Sequence, residues 1–435
     1  MTTQERLAVE ADEVTDRYIV VSCDTHTGPS VREHLRPYCE AKHLAVFDEF
    51  TAELAAQNTA ESQMPHIVSL FGSDAQDEYP KELLERRYRH AHVPGIDDPH
   101  ARLRDMDADG IAAEVIYHGA LNGEPVPFSS TGLRAWSSAR YNGLEAVGVH
   151  VYNRWLADFA SVSPERHVGT AHIPVSDVDA AVREVEWARS AGLTAVNLPA
   201  PRRDFPSYID PVWEPFWAAC SANEMILNTH AGAGETMDYP AVPAAAAMYF
   251  VENPFFCRRA LFMLVFSGVF VRYPNLRLVL TEQSCDWVPE AITDLDSTYF
   301  NYHNAGLRKL LPEPGRHYFM QNCFVGASFM ARHEVSMALE HGLEGHFMWG
   351  SDYPHPEGTW PRTLDSLRHT FHDIDPAMNR KFLGENALDV YRLDRAALAK
   401  VAAHVGPTVQ DIAALPTDVP AVSDGYAFRT IGKWA

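Results

Sequence analysis

The sequence is short of lysine, of paired cysteines and of long apolar runs, and each shortage removes a class of protein. Its formal net charge is −22, from 36 basic residues against 58 acidic ones. A surface of that sign repels phosphate backbones, which argues against a nucleic-acid partner and suits a soluble small-molecule enzyme. The six cysteines (Cys23, Cys39, Cys220, Cys257, Cys285, Cys323) are scattered, with no CxxC pair. Neither a disulfide framework nor a zinc-thiolate site is indicated, and a reducing cytoplasm fits. The first twenty residues lack the basic start and apolar run of a secretory signal. The longest apolar stretch, Leu261 to Val271, is broken by Ser267 and Gly268 and falls short of the ~20 residues a membrane span needs. No glycine-rich flavin or dinucleotide loop is present.

What the chain does have is eight short runs rich in β-branched or aromatic residues, near 18–24, 112–118, 167–173, 193–198, 224–230, 277–282, 317–324 and 346–352. Each ends at a Gly, Pro or polar break. Helical patterns fill most gaps, as from Asp177 to Ala191 and from Pro211 to Asn223. Eight alternating units predict an α/β fold with a parallel sheet closed into a (β/α)8 barrel. Two connections are long: about 27–110, with a helix over Leu44 to Ala60, and about 232–275, holding Met248-Tyr249-Phe250 and Phe255-Phe256. Both leave the carboxyl ends of strands, where they would form lids or walls of a large apolar pocket, or a surface for a homo-oligomer. The barrel is assigned residues 1–391, and 392–435 a helix (Arg395 to His404) and an extended arm ending at Phe428-Arg429 and Trp434.

Four strings sit where apolar runs end: Asp24-Thr25-His26, Thr229-His230, Thr281-Glu282 and Gly350-Ser351-Asp352-Tyr353-Pro354-His355. Side chains two apart on a strand face the same way, so Asp24 and His26 can chelate one ion. A barrel gathers all its strand ends on one face, bringing His230 and Asp352 to the same place. Imidazole plus carboxylate without thiolate suits zinc, iron or manganese rather than calcium.

The ordered set of these strings, in the segments LNTHAG, LTEQSCDWVP and WGSDYPHPEG with Arg104-Asp105-Met106-Asp107 and Leu383-Gly384-Glu385-Asn386-Ala387, resembles the amidohydrolase-related branch of the metal-dependent hydrolases over roughly residues 18–391. The resemblance implies a TIM barrel, with Asp24, His26, His230 and Asp352 as metal ligands. Three departures bear on the reaction. None of the six lysines (Lys42, Lys81, Lys309, Lys381, Lys400, Lys433) lies at a predicted strand end, where dinuclear relatives keep a carbamylated lysine. Glu282 stands where decarboxylating relatives place a histidine. His118 ends the second strand where relatives more often have proline, with Glu114 two pleats deeper.

Glu282 and His118 would extend the four ligands to six. For Glu282 the plain alternative is a salt bridge or a loop cap; for His118 it is a core histidine bonded to backbone. Glu114 reads as structural, and His172 and His355 as residues that contact substrate or support the ligands. The segments EVIYHG, NRWLADF, PERHVG and VNLPAPR resemble a smaller branch of non-heme diiron monooxygenases from platensimycin and platencin biosynthesis. That resemblance implies two irons, dioxygen as co-substrate, an external electron donor, and hydroxylation of an unactivated carbon in a bulky apolar acid or its coenzyme A thioester. Arg202-Arg203 and Arg258-Arg259 could meet the nucleotide phosphates, or be ordinary surface arginines. The alternatives are a mononuclear zinc or manganese hydrolase or non-oxidative decarboxylase, and a barrel without chemistry serving in a hetero-oligomer.

Overall fold

The computed structural model describes residues 16–57, 85, 88–119, 121–131, 139–232, 240 and 242–415. Eight strands form one parallel sheet in sequence order: β1 (Val21–Thr27), β2 (Ala113–His118), β3 (His167–His172), β4 (Ala195–Asn197), β5 (Ile226–His230), β6 (Arg277–Thr281), β7 (Cys323–Ser328) and β8 (Phe347–Gly350). The ring closes where the Asp352 amide donates to the Asp24 carbonyl (2.9 Å) and the His26 amide to the Tyr353 carbonyl (2.6 Å). This is the eightfold barrel expected from the alternating pattern.

Helices cover the outside. They include α1 (Leu44–Gln57), α2 (Pro99–Asp109), α3 (Glu145–Ala160), α4 (Val178–Ser190), α5 (Glu214–Ala222), α6 (Pro243–Phe266), α7 (Gly315–Asn322) and α8 (Arg395–Val405). Local chemistry sets their ends. Asp98 accepts from the His100 and Ala101 amides to start α2, and Gly110, at φ +79°, stops it. Asp177 accepts from the Ala180 amide to start α4, whose Ala181, Val185 and Ala188 turn inward.

An outer layer of core packs strands against helices and contains Ile116, Val196, Trp213, Phe216 and Trp217. An inner layer fills the barrel with Val21, Cys23, Val115, Tyr117, Ile226, Val279 and Met348, floored by Leu388, Tyr391 and Leu398. Strand alternation assigns every residue to one layer or the other. β1 carries a bulge between Ser22 and Thr25 relative to β2, so the alternation shifts phase there. Cys23 faces the inner layer, and Asp24 and His26 do so too.

The seventh strand lies at 323–328 rather than 317–324. His317-Tyr318-Phe319-Met320 has strand-like composition, but it continues α7, which buries Tyr318 and Phe319 on one side. The long second connection is dominated by the 24-residue α6; the side chains of Tyr249 and Phe250 lie outside the described residues. So do residues 58–84 of the first connection, the last three residues of the expected 44–60 helix, and the arm at 416–435 with Phe428, Arg429 and Trp434. The tail helix is α8, followed by a short turn of helix at Val409–Ala413. Among the described residues no helix is long and apolar enough to cross a membrane. All six cysteines are buried free thiols.

Candidate metal centre

Five side chains meet at the carboxyl end of the barrel in a continuous chain of contacts. Asp352 Oδ1 lies 3.1 Å from His26 Nε2, which lies 3.3 Å from Asp24 Oδ1. Asp24 Oδ1 lies 3.2 Å from His230 Nε2, and that nitrogen lies 3.4 Å from Glu282 Oε2. Donors ~2.1 Å from one ion stand about 3.0 Å apart at right angles and about 3.4 Å apart at tetrahedral angles. All four contacts fall within or close to that interval. Asp24, His26, His230 and Glu282 fit a single divalent cation, and Asp352 stands beside them in a second group with His26 and His355.

Charge supports the same fit. Asp24 and Asp352 are wholly buried and Glu282 is 6% exposed, with no lysine or arginine among the contacts just described. Burial pushes the Asp352 carboxyl well above the usual carboxylate range, and Asp24 and Glu282 push it further despite the opposing pull of His355. Asp24 goes the other way: burial would raise it, but His230 and then His26 outweigh burial and lower it. A cation beside Asp24 and Asp352 would favour the ionised form of both. Among the described residues Asp352 Oδ2 has no hydrogen-bond partner.

Neighbours aim the donors. Ser328 Oγ donates to Asp24 Oδ2. His230 Nδ1 is paired with the Ala231 carbonyl, which fixes the proton on Nδ1 and leaves the Nε2 lone pair for an ion. Glu282, Phe329 and Asp352 follow β6, β7 and β8 with φ of +54°, +40° and +58°, a left-handed conformation costly for residues with a side chain. These turns bring Glu282 and Asp352 over the barrel mouth. Gly119 and Gly350 flank β1, where an added Cβ would come within 2.5 Å of His26 Cβ and 2.8 Å of Asp24 Cβ respectively. His355 stacks on His26 with ring centroids 4.2 Å apart, and its Nδ1 is 3.8 Å from Asp352 Oδ1.

Sequence reasoning overlooked Arg102. This fully buried residue offers Nε to both Glu114 oxygens (3.0 and 2.9 Å) and Nη1 to the His26 carbonyl (2.8 Å) and the Gly95 carbonyl (3.2 Å). Its guanidinium lies over the Tyr353 ring at 4.2 Å. Burial alone would raise Glu114, yet Arg102 and His167 pull its carboxyl down to about 2. An arginine spaced twelve residues before a strand carboxylate was the only available signal, and it is a weak one.

His118 does not join the donor group. Val115 and Tyr117 belong to the inner layer, so alternation turns Glu114, Ile116 and His118 the other way. Glu114 meets Arg102, while the His118 ring lies edge-on to Tyr152 (5.2 Å) and His172 (6.0 Å). Burial, then His172 and His26, push His118 well below the usual imidazole range; burial, then His230, takes His172 down to about 4. Among the described residues none of the four ring nitrogens of His118 and His172 makes a regular hydrogen bond, although the Glu124 backbone lies close enough to His118 to oppose part of that lowering. Around them the described residues enclose a cavity of about 10 Å³. That is far smaller than the large apolar pocket expected from the two insertions, parts of which (58–84, 233–239 and 241) lie outside the described residues.

The cationic patch is largely engaged. Arg202 pairs with Asp204 and donates to the Ser130 carbonyl, and Arg203 follows it in the same loop after β4. Arg258 Nε donates to Gln283 Oε1 (2.8 Å) with its guanidinium over Trp287, while Arg259 reaches the Pro201 carbonyl.

The amidohydrolase family model matches residues 89–393, well over half the chain, beginning after β1. The chain belongs to the amidohydrolase family. Among curated proteins it is similar to the gamma-resorcylate decarboxylase of a Polaromonas species, 23% identical over 316 residues covering 69% of this chain and 89% of that protein. Among solved structures the amidohydrolase-family chain resembles 5-carboxyvanillate decarboxylase from Sphingomonas paucimobilis (TM-score 0.58, 18% identity, 86% of this chain and 99% of the other). It also resembles a dihydroxybenzoic acid decarboxylase from Polaromonas with bound manganese and 2-nitroresorcinol (TM-score 0.57, 18% identity, 87% and 98% coverage). These named relatives are decarboxylases, not the diiron monooxygenases whose segments the sequence resembles.

Proposed function

We propose that this amidohydrolase-family chain is a non-oxidative decarboxylase of a small hydroxylated aromatic acid, working with one divalent ion. The observation that carries the reading is the unbroken chain of contacts Asp352, His26, Asp24, His230 and Glu282, at 3.1–3.4 Å per step. The named relatives support it. Three carboxylates and two imidazoles form a hard donor set, which suits manganese, with zinc the next choice. Such an ion, when bound, supplies Lewis acidity that holds and polarises substrate oxygens.

The remaining work belongs to the side chains. Loss of carbon dioxide breaks the bond between ring and carboxylate, leaves the electron pair on the ring carbon, and requires one proton there. His355, stacked on His26 and beside Asp352, is placed to deliver that proton, with Asp352 behind it. Arg102 holds the backbone of His26 fixed through its carbonyl, which keeps the imidazole in register with Asp24. The apolar inner layer below keeps bulk water from the reacting carbon.

The test is to load the purified chain with manganese, exclude oxygen, and follow carbon dioxide release from hydroxybenzoates. Turnover that is lost in Asp24→Asn and His355→Gln supports the reading, whereas a loaded enzyme that releases none from any hydroxybenzoate refutes it. The sequence resemblance favours a second reading, the two-iron monooxygenase with a reductant and dioxygen, because it implies a histidine near the end of β6 in decarboxylases, where this chain has Glu282. That reading requires two irons per chain and oxygen uptake.

A further inference from the structure

We propose that the small cavity bounded by His118, His172, Asn197 and His230 seats one oxygen substituent, a ring hydroxyl, of the substrate bound at the metal centre. This rests on the reading of the chain as acting on hydroxylated aromatic acids. His118 and His172 are each only 2% exposed. Among the described residues, both nitrogens of each ring and Oδ1 of Asn197 have no regular hydrogen-bond partner. A neutral imidazole carries one donor and one acceptor, so the two rings and the amide oxygen offer two donors and three acceptor atoms, enough to engage both the proton and the lone pairs of one hydroxyl. Buried polar groups are ordinarily satisfied, and five such atoms around one void imply an occupant that is polar.

Size and charge narrow the occupant. At about 10 Å³ the void has room for a single oxygen-sized group, not a ring. Its lining holds no carboxylate, lysine or arginine. Among the described residues neither His118 nor His172 belongs to a group of three or more donors close enough to share an ion, so a metal is not the occupant the geometry favours. A hydroxyl can donate to one imidazole or to Asn197 and accept from the other imidazole. His230 lines the cavity and also belongs to the donor group, so a substrate held at the centre can extend a substituent into it. His118 and His172 would then be specificity-determining residues.

The experiment measures binding of two probes, 2,6-dihydroxybenzoate and benzoate, to the manganese-loaded chain. The wild type is expected to prefer the dihydroxy acid by tenfold or more. In His118→Phe and His172→Phe that preference should fall to within about twofold, with manganese content and benzoate affinity unchanged as evidence of an intact fold; His118→Gln should retain part of it. A preference that survives both Phe substitutions overturns the proposal. So does a wild type with two manganese ions per chain that loses one on substitution, or one that binds neither acid. Carbon dioxide release is scored separately. Turnover with an unaltered preference defeats the cavity and spares the decarboxylase reading, while a cavity-dependent preference without turnover does the reverse.

Discussion

Replacing Arg102 with Met should be among the most damaging changes available in this chain, although Arg102 is not a candidate ligand. The guanidinium satisfies Glu114 through three contacts of 2.8–3.0 Å and two backbone carbonyls at 2.8 and 3.2 Å. Together with His167 it holds the Glu114 carboxyl from an ordinary value near 4.5 down to about 2, a difference worth roughly 3 kcal/mol to the folded state at neutral pH. Because Glu114 is depressed, that contribution is present above about pH 4.5 and is lost as pH falls toward 2. Removing Arg102 leaves a buried carboxylate facing only His167, along with an unpaired His26 carbonyl, so the expected cost is about 3–5 kcal/mol. The assay is equilibrium unfolding of the metal-free protein in urea at pH 7, with manganese affinity measured in parallel. Manganese binding should weaken as well, because His26 loses its anchor. Adding Glu114→Leu to Arg102→Met should recover much of the loss, since the uncompensated charge is gone. A cost below about 1 kcal/mol, or a double variant as unstable as the sum of the singles, would refute this reasoning.

Two further outcomes follow from buried carboxylates elsewhere. Burial raises the Asp109 carboxyl to about 6, against the opposing hydrogen bonds from Thr363. A raised carboxyl stabilises the fold while protonated, so stability should drop by roughly 3 kcal/mol as pH rises from about 4 to about 6. Asp109→Asn should therefore gain on the wild type across that window in urea unfolding; a difference independent of pH would contradict the assignment. Ser328→Ala removes the hydroxyl that donates to Asp24 Oδ2. It should weaken manganese binding about 10–100-fold with little change in the unfolding of the metal-free protein, and unchanged affinity would show that Asp24 needs no such support.

Much of the barrel could be read from residues, because parallel strands buried on both faces leave apolar runs that stand out between helical patterns. Asp24, His26, His230, Glu282 and Asp352 were legible as candidates because each lies at or just beyond the end of such a run; the first four gather in one group, and Asp352 joins His26 and His355 in a second that shares His26. The seventh strand was misplaced because an amphipathic helix rich in aromatics, Gly315–Asn322, has the composition of a strand. The bulge in β1 is invisible to a simple period of two. The left-handed turns at Glu282 and Asp352 were equally hidden, since neither residue is a glycine. His118 shows the limit most clearly: its position at a strand end suggested a ligand, but the parity of β2 points it toward His172 and Tyr152 instead. Arg102 was missed because its partners are a distant carboxylate and backbone carbonyls, which carry no sequence signature.

Metal content measured together with anaerobic turnover decides whether one divalent ion supports decarboxylation in this chain. About one manganese or zinc ion per chain is expected, removed with loss of activity by a chelator and restored by the metal, with release of carbon dioxide from a hydroxybenzoate without oxygen. Two irons per chain, with oxygen consumed in the presence of a reductant and no carbon dioxide released anaerobically, would contradict it.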